Sequence, residues 1–275
     1  MSSGWVRPAA CTSWRRQRPR PAGAAAALAT TPVYDTIGRN YTAHRRADPR
    51  WEALVAAQLG DAWRILNVGA GTGSYEPPGR AVVAVEPSTV MLAQRAQGAA
   101  PAVRATAAAL PVRTGWADVV VAILTVHHWN DWARGLDELC RVAPRRIVLA
   151  IDFARHADFW LLREYLPGVR DHTLRCAPGA DVIADAIGAT TCIELPAYRD
   201  LRDGVLGAHW SRPEAYLDPT VRANNSGIAL ADQANVARGM ERLQADLASG
   251  AWHERHADLL ARESTDLGYR LLVSG

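Results

Sequence analysis

Two stretches of this chain place chemically useful groups at the ends of apolar runs. The first is Ile65-Leu66-Asn67-Val68-Gly69-Ala70-Gly71-Thr72-Gly73, a strand-like run entering three alternating glycines. Glycine there lets the backbone bend sharply and come close to a ligand. The second is Glu86, which closes Val82-Val83-Ala84-Val85 and is followed by Pro87 and Ser88. A carboxylate at that point can accept hydrogen bonds from both hydroxyls of a ribose lying across the strand ends, charged bonds worth about 1.5–3 kcal/mol each. The competing role for Glu86 is an acid favoring the start of the helix that Ser88 caps.

The spacing also separates two adenosine-containing ligands. A dinucleotide site needs a third glycine so that a full helix can pack and offer its N-terminus to a pyrophosphate. Here Ser74 stands in that place, and Ser74-Tyr75-Glu76-Pro77-Pro78-Gly79-Arg80 leaves room for about one turn before the next run. A cationic sulfonium without phosphates needs no such anchor, so the pattern favors S-adenosylmethionine over NAD. A further pair, His127 and His128, follows the run Asp118 to Val126 and supplies two candidate general bases. Successive strand residues point to opposite faces, so at most one of them faces a site if the strand continues that far.

These groups need a frame. Short β-branched runs at Arg64–Val68, Ala81–Val85, Ala102–Ala105, Asp118–Ile123 and Arg146–Asp152 alternate with helical patterns, as in a parallel sheet with crossover helices. Ser88 caps one helix that Gly98 closes; Asn130 or Asp131 caps another, carrying Leu136, Leu139 and Cys140 and stopped by Pro144. Beyond Asp152 the patterns at 157–166, 179–187, 213–224 and 230–247 are helical, with two more strands at Thr191–Leu195 and Tyr269–Val273. Those strands belong at one edge of the sheet, and the helices build a cap over the strand ends.

Composition narrows the classes. The formal net charge is +3, and five arginines without an acid crowd the first 29 residues, leaving the rest nearly balanced. No basic stripe with interleaved aromatics marks a nucleic-acid surface. No run approaches the roughly 18 apolar residues of a membrane span. The four cysteines show neither CxxC nor zinc spacing, so a metal site is not expected and a reducing cytoplasm fits best. Residues 1–30 are Arg/Pro-rich and then Ala-rich, and are expected to form a disordered tail.

Ile65 to Gly73, Glu86, Ala107-Ala108-Ala109-Leu110-Pro111 and Asp118 to Trp129 occur in the order seen in class I methyltransferases. The chain resembles the methyltransferase type 11 group most closely, well over residues 33–153 and loosely beyond. The resemblance implies a Rossmann-like α/β fold with a mostly parallel seven-stranded sheet flanked by helices, and a helical cap inserted late in the chain. The domain would span 31–275, with a core over 61–153 and the cap and last two strands over 154–275.

By position, the resemblance places Gly69, Ala70, Gly71 and Gly73 under the methionine and ribose of S-adenosylmethionine, with Asn67 where an acid is usual. Glu86, followed by Pro87, holds the ribose; Thr106 and Ala107 lie beside the adenine; Leu124 lies near the sulfonium. Tyr34 or Arg39, in a segment similar to one that closes over the cofactor, meets its carboxylate. The implied activity is methyl transfer to a small organic metabolite at O, N or C, with S-adenosylhomocysteine as product and His127 or His128 as base. A homodimer through the later helices is compatible with the sequence. The alternatives are a protein that binds S-adenosylmethionine without methyl transfer or uses it for other chemistry and, less favored, an NAD-dependent oxidoreductase.

Overall fold

Runs such as Val119–Ile123 are apolar at every position because both of their faces are covered. In the computed structural model, which describes residues 32–38 and 41–275, Ile65, Val119, Val121, Ile147 and Leu149 join one buried cluster. Their chain neighbors Leu66, Val120, Ala122 and Val148 join another on the opposite face. The strands are β1 (Arg64–Val68), β2 (Ala81–Val85), β3 (Ala102–Val103), β4 (Val119–Ile123), β5 (Arg145–Ile151), β6 (Thr191–Glu194), β7 (Ala197–Tyr198), β8 (Ser264–Thr265) and β9 (Tyr269–Ser274).

Among the described residues, seven of them form one sheet in the order β3-β2-β1-β4-β5-β9-β6, and β7 pairs with β8 separately. The first five are parallel; β9 runs antiparallel between β5 and β6. The last two strands therefore lie at one edge, as the sequence suggests. The order reverses between β1 and β4, which puts a crevice at their carboxyl ends, the usual ligand position in open α/β sheets.

Before β1 come α1 (Val33–Ile37), α2 (Tyr41–His44) and α3 (Pro49–Ala57); within the core come α4 (Thr89–Ala93) and α5 (Trp132–Val142). The Ser88 hydroxyl accepts from the Met91 amide and Asp131 accepts from that of Arg134, so Asp131, not Asn130, caps α5. No helix follows Gly73, as the two prolines require.

The cap departs from its periodicity. In place of one helix over 157–166 stand α6 (Phe153–His156) and a single π-turn, Leu161–Tyr165, followed by α7 (Pro167–Cys176) and α8 (Ala180–Ile187). Proline forces its predecessor out of the helical region, and Leu166 is accordingly non-helical. Pro219 likewise splits 213–224 into a 3₁₀ turn at Pro213–Leu217 and α9 (Pro219–Ala223), before α10 (Ser226–Ala229) and α11 (Gln233–Ser249). The strand expected over 102–105 stops at Val103. No helix among the described residues is long and apolar enough to cross a membrane.

Candidate functional site

At the end of β1 the backbone turns through Gly69 at φ +69°, and a Cβ there would overlap the Thr125 side chain beyond β4. The Gly69 and Ala70 amides both donate to the Val85 carbonyl, at 2.8 and 3.1 Å, which folds the glycine turn against the end of β2. Glu86 completes this junction. Its Oε2 accepts from the Gly71 amide and its Oε1 from the Ser88 amide, each at 2.9 Å, and the residue is only 5% exposed. Burial raises the carboxyl pKa, against the opposing pull of the Ser88 and Gly71 amides. The carboxylate thus joins the glycine turn to the start of α4.

Asn67 has a structural explanation. Its amide donates to Glu76 Oε1 at 3.0 Å, and Arg95 binds both Glu76 oxygens at 2.8 Å and the Gly71 carbonyl at 3.3 Å. An acid at position 67 would face the Glu76 carboxylate. Gly73 faces this ion pair rather than the cavity described next.

A cavity of about 610 Å³ lies at the crevice. Tyr34, Asn67, Gly69, Ala70, Gly71, Glu86, Pro87, Thr106, Ala107, Leu124 and His128 all line it, so the structure brings together most of the residues that the sequence nominates. Arg39 lies outside the described residues. One part of the wall consists of Ala107, Ala108 and Arg134, whose Nε donates to the Ala108 carbonyl at 2.7 Å. Another consists of Tyr34, Tyr41, Arg45 and His128. The Tyr34 ring stands edge-on to Tyr41 and to His128, and its hydroxyl lies 3.1 Å from His128 Nε2. Arg45 is not a free cation: its Nε donates to Asp203 Oδ1 at 2.5 Å, and the Tyr75 hydroxyl donates to Oδ2 at 2.9 Å.

A second cavity, about 100 Å³, shares Tyr34, Arg45, Leu124 and His128 with the first. Leu124 sits between them at φ +52°, a conformation costing about 1–3 kcal/mol that persists only where its surroundings enforce it. Its amide is held by the Leu149 carbonyl at 2.8 Å. The histidine alternation expected of a strand is not observed. β4 ends at Ile123, and His127 and His128 occupy a 3₁₀ turn, Val126–His128, so both line the small cavity while only His128 also lines the large one. Burial lowers both: His128 to about 4, with Arg45 adding to the effect, and His127 well below the usual range, with His128 and then Arg45 adding.

The family description "Methyltransferase domain" matches residues 66–149, which run from β1 into β5. A solved structure from Anabaena variabilis, described as a methyltransferase from an antibiotic biosynthesis pathway, is 30% identical. The alignment covers 84% of this chain and 99% of that one, with a TM-score of 0.77. The chain belongs to the class I S-adenosylmethionine-dependent methyltransferases. A methyltransferase from Thermotoga maritima is 22% identical over 58% of this chain and 81% of its own, with a TM-score of 0.46. No curated protein matches.

In this methyltransferase the walls that sequence reasoning missed are mainly Arg45, Ser88, Met91, Tyr75 and Arg134. Ser88 and Met91 were legible as a cap and a helix residue, and only their side was unknown. Arg45 gave no signal, because its partner Asp203 lies 158 residues away. Of the aromatics beyond Asp152, Phe153 and Tyr269 line the small cavity, while Trp160, Tyr165, Trp210 and Tyr216 are core.

Proposed function

We propose that the enzyme methylates a small organic metabolite, with the larger cavity holding S-adenosylmethionine and the smaller one receiving the acceptor. The observation that carries this reading is the junction of Gly71 and Glu86 in the wall of a cavity that shares four residues with a second one. Its volume of about 610 Å³ falls within the usual range for cofactor pockets. Gly69, Ala70 and Gly71 line this cavity, which fits a ligand lying close against their backbone.

When bound, the donor supplies a methyl group activated on a sulfonium. Gly69, Ala70 and Gly71 line its path with backbone, Glu86 and the adjoining Pro87 hold the ribose, and Thr106 and Ala107 border the adenine. Tyr34 closes the methionine end, and Leu124 stands at the boundary where the acceptor must approach. Methyl transfer gains most from orientation and exclusion of water, which these walls provide. The description of the Anabaena relative as part of an antibiotic biosynthesis pathway supports a small-metabolite acceptor.

Calorimetric titration with S-adenosylmethionine, S-adenosylhomocysteine and NAD tests the donor site. The first two are expected to bind and NAD is not. Glu86→Ala, with folding checked by thermal unfolding, is expected to weaken S-adenosylhomocysteine at least about tenfold, equivalent to about 1.4 kcal/mol. Equal affinity in a folded variant, or binding of NAD alone, would refute the assignment.

A further inference from the structure

The smaller cavity has a chemistry of its own. Its only formally charged lining residue among those described is Arg45, and that guanidinium is already neutralized by Asp203. No carboxylate lines it, so an ammonium acceptor would lose its hydration and meet no counter-charge. A carboxylate acceptor would find Arg45 already committed. The remaining polar lining carries no formal charge: Tyr34 and Tyr269, three histidines, and Thr173, Asn224, Asn225 and Ser226.

The three histidines are not equivalent. His156 Nδ1 donates to the Leu267 carbonyl at 2.7 Å, and His128 Nε2 is engaged by the Tyr34 hydroxyl. His127 has no hydrogen-bond partner among the described residues; its ring packs beside those of His128 and Phe153, at centroid distances of 3.9 and 5.7 Å. It lines the acceptor cavity and not the donor cavity. An unpaired neutral imidazole among aromatic edges suits a flat ring bearing an O–H donor. The volume is of the order a single ring needs, given that a dry cavity of about 150 Å³ takes benzene.

We infer that the acceptor is a neutral, compact aromatic hydroxyl compound and that His127 is the general base for its O-methylation. This rests on the methyl-transfer reading above. The phenolic oxygen forms the new O–CH₃ bond as the S–CH₃ bond breaks, and that bonding pair stays on sulfur. The hydroxyl proton passes to a His127 ring nitrogen and from there to solvent. A weakly basic imidazole suffices, because the proton becomes strongly acidic as the oxygen acquires its third bond.

The test uses the full chain with one ring carrying different groups: phenol, 4-nitrophenol, benzoate and benzylamine. Binding to the S-adenosylhomocysteine complex is read by calorimetry, and methyl transfer by label from S-adenosylmethionine. Phenol and 4-nitrophenol are expected to bind and be methylated, and benzoate and benzylamine are not. His127→Asn should leave S-adenosylhomocysteine affinity within about twofold, weaken phenol binding, and lower phenol methylation about 10²–10⁴-fold. The loss should be much smaller for 4-nitrophenol assayed at about pH 6.5, where it is still largely neutral but gives up its proton far more readily than phenol. An equal loss for both phenols would assign His127 a merely structural role. Preference for benzylamine or benzoate, or no binding of either phenol while S-adenosylhomocysteine binds, would overturn the substrate class. Failure of S-adenosylhomocysteine to bind would instead overturn the donor site itself.

Discussion

His128 shows how the site's chemistry is linked to folding. Burial, and then the Arg45 charge, lower its pKa from 6.5 to about 4 in the folded chain. Between those values the unfolded chain binds more protons than the folded one, so stability is full above about pH 6.5 and is lost as pH falls toward 4. His127 and His156, also kept neutral by burial, act in the same direction. Asp48 extends the loss to lower pH. Burial would raise its carboxyl, but Arg50 and the Arg202 and Arg50 amides outweigh this and hold it at about 2. Scanning calorimetry from pH 8 to 4 should show the midpoint dropping mainly below pH 6.5, with a shallower drop in His128→Gln. Parallel curves would show that this histidine is not responsible. At this scale, residues whose role follows from local backbone were legible: Gly69, Gly71 and Glu86 sit at strand ends that the apolar runs mark. Arg45 and Asp203 were not, because an ion pair closed by tertiary folding leaves no trace in local spacing.

Among the elements, α1 owes its place to its neighbors. Five residues are too few for a stable isolated helix. Asp35 on α1 accepts from the Ser88 hydroxyl at 2.6 Å and the Val90 amide at 3.2 Å, and Gln94 donates to the Gly38 carbonyl at 2.7 Å. Because Ser88 is also the cap of α4 and its amide binds Glu86, the segment carrying Tyr34 is tied to the proposed ribose site through one residue. Hydrogen bonds to a charged group are worth about 1.5–3 kcal/mol, so Asp35→Ala should free α1 and weaken S-adenosylhomocysteine by roughly threefold to tenfold. Hydrogen exchange over 33–44 should rise in the same variant. Unchanged affinity would mean that α1 does not contribute to the donor site. Elements were legible where one rule governs them: strands buried on both faces read as continuous apolar runs. The cap was harder, since Pro167 and Pro219 cut helical periodicity that composition alone presents as unbroken.

For the whole molecule, residues 61–153 and residues 154–275, which hold the cap helices and the last strands, contribute to one sheet. β9, which follows the cap, pairs with β5 over six residues from Arg146 to Ile151 and carries β6 on its other side. The cluster on one sheet face mixes Ile65, Val121 and Leu149 with Trp160, Trp210, Tyr216 and Trp252 from beyond residue 153. Across the site, Asp203 binds Arg45 and Tyr75, and the Trp51 indole donates to the Pro196 carbonyl at 3.0 Å. Removing the later half would strip β5 of its antiparallel partner and expose an apolar sheet edge that favors aggregation. We therefore expect a single calorimetric transition, with calorimetric and van't Hoff enthalpies in agreement, and no cooperative folding of a chain ending at Asp152. S-adenosylhomocysteine at 100 times its Kd should stabilize that one transition by about 2.7 kcal/mol, because it binds only the assembled site. Two resolved transitions, with only the first or the second shifted by the ligand, would instead make core and cap separate folding units and locate the donor site in the one that shifts.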